Sequence, residues 1–328
     1  MNYSALFKDI EQLTIGIIGD VMLDTYMWGN VDRISPEAPV PIVALKEKEF
    51  RIGGAANVAL NTVSLKASTH IFSVIGKDDD GKTLINLLQK NNIQTNGIIQ
   101  SQNRITTNKI RVIARNQQMM RLDSEIVNDI DKEESSLLLQ QIEQFIIAQK
   151  PAIIILEDYN KGVLTDEVIK KTIALCKEYN VLTAVDPKRK NFFSYIGVDI
   201  FKPNLKEIKD ALNILTDNTS LEHLKEIHKQ LQEKLQHKIS FITLSDKGVF
   251  YNSTDDGTII QAHIRHIADV SGAGDTVIAV ASLIYATTKN MKLAAEIANI
   301  AGGLVCEEVG TAAINKNVLE KEVIALLS

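Results

Sequence analysis

The sequence predicts an α/β fold: a doubly wound, mostly parallel sheet with helices on both faces and a small second β-sheet beside it. Two patterns predict it. Short apolar runs, each ended by a polar residue, recur between helix-like segments, and two stretches alternate polar and apolar residues outside that pattern. The first run, Ile15-Gly16-Ile17-Ile18-Gly19 before Asp20, has the continuous apolar character of a strand buried on both faces. It recurs at 152–156 before Glu157-Asp158, at 181–185 before Asp186-Pro187-Lys188, at 200–201 before Lys202-Pro203-Asn204 and at 241–244 before Ser245-Asp246. Helical spacing marks 131–149, 165–179, 205–215 and 221–236. Alternating strands and helices imply a parallel sheet with right-handed crossovers. Ligands bind beyond the carboxyl ends of such strands, where these polar residues fall. Each alone reads as a helix cap or turn residue; their repetition along one edge argues for a site.

Residues 24–45, with Pro36, Pro39 and Pro41, and residues 106–122, alternating through Lys109-Ile110-Arg111-Val112-Ile113, read as strands of the second sheet.

The 328 residues are 45% hydrophobic, enough for a large core, and carry a formal charge of -5. That charge offers no general attraction to nucleic acid or a membrane surface. No basic start with a long apolar region opens the chain and no apolar run approaches a membrane span, so a cytoplasmic protein is expected. Cys176 and Cys306 lack metal-ligand spacing and read as reduced core thiols. With no repeat or linker, the whole of 1–328 is expected to be one domain.

One stretch carries chemistry. Asp269-Val270-Ser271-Gly272-Ala273-Gly274-Asp275-Thr276 lies between an expected strand at 264–268 and an expected helix at 276–287. Small residues at a helix start let backbone N–H groups face an anion where the helix dipole favours it. Asp275 in that turn either stabilises the dipole or serves as a general base beside the cradle. A second stretch, Gly76-Lys77-Asp78-Asp79-Asp80-Gly81-Lys82-Thr83, matches the P-loop pattern. Three aspartates in the loop would repel a nucleotide's phosphates, so it reads as a solvated turn.

Gly272-Ala273-Gly274-Asp275 resembles the C-terminal motif of the ribokinase-like (PfkB) sugar kinases, and Gly53-Gly54-Ala55-Ala56-Asn57-Val58-Ala59 resembles their N-terminal motif. Lys66 departs from that motif's usual small residue, and Gly76 falls at its final position. The resemblance implies ATP and Mg²⁺ as cofactors, Gly272, Ala273 and Gly274 as an anion hole, Asp275 as catalytic base, and the second sheet as a sugar lid and homodimer contact. A narrower resemblance, to D-glycero-β-D-manno-heptose 7-phosphate kinases, rests on residues 19–24, 33–41, Arg115-Asn116-Gln117-Gln118, Asp158-Tyr159 and Lys161-Gly162. It implies phosphorylation at O1 of a heptose 7-phosphate in ADP-heptose synthesis for the lipopolysaccharide inner core. Asp20, Asp24, Gly53, Gly54, Asn57, Asp158 and Lys161 are then expected at the sugar, and Lys109, Arg111, Arg115 and Lys188 are candidates for its phosphate. Any one of the four also reads as a solvated surface charge. The nucleotide would meet Asn204, Ser245, Gly248 and Asn299, with Asn204 and Glu207 reaching Mg²⁺ through water. Those two also read simply as a helix cap. Many such kinases carry a cytidylyltransferase-like domain with an HxGH motif; none precedes Ser328, so a stand-alone kinase is expected. Two alternatives stay open: a PfkB kinase of another sugar (ribose, fructose or a ketose phosphate), and a non-catalytic sugar or nucleotide sensor.

Overall fold

The computed structural model describes residues 2–115, 117–253, 257–263 and 265–327. Asn116, part of the heptose-kinase resemblance, and Ile264, part of the expected strand at 264–268, lie outside the described residues. In chain order the strands are β1 (Thr14–Gly19), β2 (Val21–Ile34), β3 (Pro41–Gly54), β4 (Ser68–Gly76), β5 (Gln94–Ser101), β6 (Asn108–Ala114), β7 (Gln117–Ser124), β8 (Ile153–Glu157), β9 (Leu182–Asp186), β10 (Ile200–Phe201), β11 (Ile239–Thr243), β12 (Val249–Asn252) and β13 (Thr258–Ile260). The helices are α1 (Tyr3–Ile10), α2 (Ala55–Ser64), α3 (Asp79–Lys90), α4 (Lys132–Gln149), α5 (Asp166–Glu178), α6 (Leu205–Leu212), α7 (Leu221–Leu235), α8 (Ala273–Thr288), α9 (Met291–Val305) and α10 (Lys316–Leu327).

The large sheet runs β13-β12-β11-β10-β9-β8-β1-β4-β5. It is parallel from β11 to β5, and β12 and β13 extend it antiparallel. Its strands read as unbroken apolar runs because both faces are covered. In β8, Ile153 and Ile155 belong to the core shared with α1, α2, α8 and α9, while Ile154 and Leu156 face α4 and α5. Helix starts follow their caps: the Asp131 side chain accepts from Glu134 N–H in a reciprocal capping box at α4, and Thr165 caps α5. Helix α6 stops three residues short of the expected 215, because Asn213 turns left-handed at φ 54°.

The expected strand at 264–268 is not one. In its described residues the backbone has no sheet partner; the Ala268 and Asp269 N–H groups instead both donate to the Cys306 carbonyl at the end of α9, at 2.8 and 3.2 Å. The P-loop look-alike is a turn: the Asp78 carboxylate caps α3 through Gly81 N–H and also accepts from Thr106. Exposed Lys82 pairs with Asp79.

The second sheet, β3-β2-β6-β7, arises from the two stretches with alternating residues, and register sorts its faces. Along one face Asp24 lies beside Arg51 and Lys109, and Tyr26 beside Glu49 and Arg111. Along the other, Thr25, Phe50, Ile110 and Leu122 form a row, followed by Met27, Lys48, Val112 and Met120. Strand β3 runs straight into α2 at Gly54, whose φ of 62° and close approach to the Asp20 carbonyl leave no room for a Cβ.

Candidate active site

The site lies at the carboxyl ends of β1, β8 and β9, where α8 begins. Gly272 sits left-handed at φ 81° ahead of α8, and the Asp269 side chain fixes the approach by accepting from the N–H groups of Ser271 and Gly310. The N–H groups of Gly272, Gly274 and Asp275 have no acceptor among the described residues. That of Ala273 donates to the Val270 carbonyl at 3.3 Å. Ala273 therefore leaves the expected set of free donors, because the turn itself consumes its proton.

Asp275 is buried in the first turn of α8. Its Oδ2 accepts from Asn57 Nδ2 at 2.7 Å and its Oδ1 from the Tyr159 hydroxyl at 2.8 Å. Burial pushes its pKa up to about 6, against the pull of those two donors. Next to it, Asp186 Oδ1 takes Lys188 at 2.8 Å and Asp186 Oδ2 takes buried Lys202 at 2.7 Å. Burial opposes the charge on Asp186, yet the two ammonium groups hold it below the usual carboxylate range. Glu157, at the end of β8, completes the cluster. Carboxylate oxygens of Glu157, Asp186 and Asp275 lie within 4.8 Å of one another.

The polar face of the lid closes one side. Arg111 pairs with Asp24 and lies 5.2 Å from the Tyr26 ring; Arg51 lies 4.7 Å from it, pairs with Glu49, and donates to the Val309 carbonyl at 3.2 Å. Gly53 is bare because a Cβ there would meet Asp24 Oδ2. Half-buried Lys109 sits 5.6 Å from the Tyr159 ring with no ion pair among the described residues.

Several residues expected at the sugar are engaged by the protein itself. Asp20 uses both oxygens on the N–H groups of Tyr159, Lys161 and Val163, so it shapes that loop; burial, with Asp158 nearby, raises its pKa to about 6. Asp158 is likewise consumed, by the Tyr195 hydroxyl, Asn191 and Asn160 N–H. Lys188 pairs with Asp186 and Glu207. Lys161 pairs with Glu125. Arg115 lies exposed past the end of β6, six residues beyond Lys109, and donates to the Val31 carbonyl, so the chain does not bring it to the others.

On the far side of α8 a cavity of about 840 Å³ is lined by Asn204, Ser245, Gly248, Gly274, Val277 and Asn299 among others. Asn204 and Glu207 form the capping box of α6, and Glu207 also takes Lys188. Asn299 donates to the Gln261 carbonyl at 2.8 Å, bracing the cavity wall.

Glu157, Asp186, Lys202 and Arg51 join the site without being expected from the sequence. Glu157 and Asp186 carry a signal in the sequence, as polar ends of apolar strands, but the family resemblance points to Asp158 and Lys188, their near neighbours. Strand pleat decides which of two adjacent polar residues faces the helix start.

Fold and site together define a class: an α/β enzyme whose sheet edge sets an anion cradle beside buried carboxylates and a ligand-sized cavity. Comparison narrows it. Residues 13–317 match the pfkB family carbohydrate kinase model, so the chain belongs to that family and is a carbohydrate kinase. Bifunctional protein HldE of Aliarcobacter butzleri is 39% identical over 297 residues, covering 90% of this chain; the chain spans 61% of that relative's length. Phosphofructokinase-2 from Escherichia coli in complex with potassium shares the fold with a TM-score of 0.79 at 16% identity, over 96% of this chain and 99% of that one. A ribokinase of Arabidopsis thaliana complexed with ribose and ATP matches with a TM-score of 0.73 at 16% identity, over 94% and 99%.

Proposed function

We propose that this kinase transfers the γ-phosphoryl group of ATP to O1 of D-glycero-β-D-manno-heptose 7-phosphate, giving the 1,7-bisphosphate for ADP-heptose synthesis in the cytoplasm. The observation that carries the chemistry is Asp275, a buried carboxylate held by Asn57 and Tyr159 in the same turn as the free N–H groups of Gly272 and Gly274. Asp275 takes the proton of the attacking hydroxyl, and those N–H groups steady charge on the group in transfer. The cavity beside α8 has the size of a nucleotide site. Asn204 and Glu207 would hold Mg²⁺ through its water shell, since a carboxylate accepting two bonds keeps lone pairs for water. When bound, the ion neutralises phosphate charge.

The choice of a heptose phosphate rests on the motif resemblance and on the lid's inner face. Lys109, with no ion pair among the described residues, and Arg111 beside it suit an anionic sugar. The opposite face supports a homodimer through the lid, because Met120 and Leu122 are about half exposed there, 50% and 52%, in line with Val112 and Ile110.

Mg²⁺-dependent ADP release with heptose 7-phosphate, beside ribose, fructose and fructose 6-phosphate, tests the proposal when phosphorus NMR reads the product. Turnover confined to the heptose phosphate with a new signal at C1 is expected. Preference for another sugar would overturn the substrate and leave the Asp275 chemistry standing.

A further inference from the structure

Glu157 has no task in the mechanism above, yet it lies against the base. It is 0% exposed, and neither of its oxygens has a hydrogen-bond partner among the described residues. Its two carboxylate neighbours are both supplied: Asp186 by Lys188 and Lys202, Asp275 by Asn57 and Tyr159. Three carboxylates within 4.8 Å cannot all ionise in a buried site, and the proton goes to the group with the fewest donors. That group is Glu157.

We propose that Glu157 is a positioning residue that stands in the resting enzyme as the neutral acid, and that its neutrality keeps Asp275 available as the base. This rests on the reading of Asp275 given above. An ionised Glu157 would add a second negative charge beside Asp275, raising its proton affinity and repelling the incoming phosphoryl group. Among the described residues the charged groups acting most on Glu157 are known: Asp186 and Asp275 disfavour its charge, while Lys188 and Lys202 favour it but are already bound to Asp186. Tyr159 and Tyr195 stand nearby as neutral phenols, their own ionisation suppressed by burial. Burial is the largest cause of the raised pKa at Glu157 itself.

The sign for stability follows. A carboxyl whose folded pKa is raised contributes most below its unfolded pKa, near 4.5, and that contribution is lost as pH climbs toward the folded value. Glu157→Gln, permanently neutral, escapes the loss.

The test compares wild type with Glu157→Gln and Glu157→Ala. Expected are a protonated-carboxyl infrared band in wild type at neutral pH that Glu157→Gln removes, a melting temperature of Glu157→Gln that gains on wild type as pH rises from about 5 to 8, and an acidic limb of the kcat profile that stays in place in Glu157→Gln. Glu157→Ala should lose turnover on the order of tenfold to a hundredfold, with Gln recovering much of it. Absence of the infrared band, or an acidic limb moved to lower pH by Gln, would mean that Glu157 is ionised and overturn the proposal. A sharply raised Mg²⁺ requirement in Glu157→Gln would do the same, assigning the carboxylate to a cation. The infrared band and melting curves do not depend on catalysis, so a failed reading of Asp275 remains distinguishable.

Discussion

At the scale of single residues, the site is built from long-range pairs. Asn57 and Asp275 are 218 positions apart, and Tyr159 and Asp275 are 116 apart. Glycine-flanked Asp275 was legible because its backbone setting is local. Its partners were not, because only the fold brings Tyr159 to it. The same limit applies to Asp20 and Asp158: their residue types suit a sugar, but the loop N–H groups and the Tyr195 hydroxyl they accept from are set by the fold. A pH dependence follows. Asp275 must be ionised to accept a proton, so kcat should fall as pH drops through about 6. Tyr159→Phe removes a donor that favours the charged form, so its acidic limb should shift to higher pH; an unmoved limb in a pH series would show that another group sets it.

Among the elements, the strands and helices of the large sheet were readable from apolar runs and caps, whereas the segment at 264–268 was not. Its apolar residues imitate a strand, but its N–H groups go to the Cys306 carbonyl. Only tertiary placement reveals that. The lid shows the converse, since alternation marked its strands in the sequence. Arg51 ties the lid to the loop after α9 through the Val309 carbonyl, held over the lid's own Tyr26 ring. Arg51→Ala should therefore raise KM for the sugar more than it lowers kcat, as steady-state kinetics would register; equal KM would deny the latch. At the junction of β3 and α2, Gly54→Ala forces a Cβ to 2.4 Å from the Asp20 carbonyl at positive φ. A loss of about 1–3 kcal/mol is expected in denaturant unfolding.

For the molecule as a whole, the proposed function divides the labour between the large sheet and the lid: the sheet edge would supply base, cradle and nucleotide cavity, and the lid the cations facing the sugar. No helix among the described residues is long and apolar enough to cross a membrane. The lid's outer face carries the assembly prediction. Wild type should sediment as a dimer, and Met120→Lys combined with Leu122→Lys should sediment as a monomer, because two charges would enter a buried apolar seam. A monomeric wild type at micromolar concentration would remove the lid contact.

The central claim, that phosphoryl transfer runs on the buried carboxylate at the start of α8, is tested most directly by turnover and ATP affinity of Asp275→Asn. The amide keeps the size and the contact to Tyr159 but cannot take a proton. Turnover should fall by about two to four orders of magnitude, the worth of a general base, with ATP binding retained. Near-normal turnover would contradict the account and leave Asp275 as a helix-capping charge.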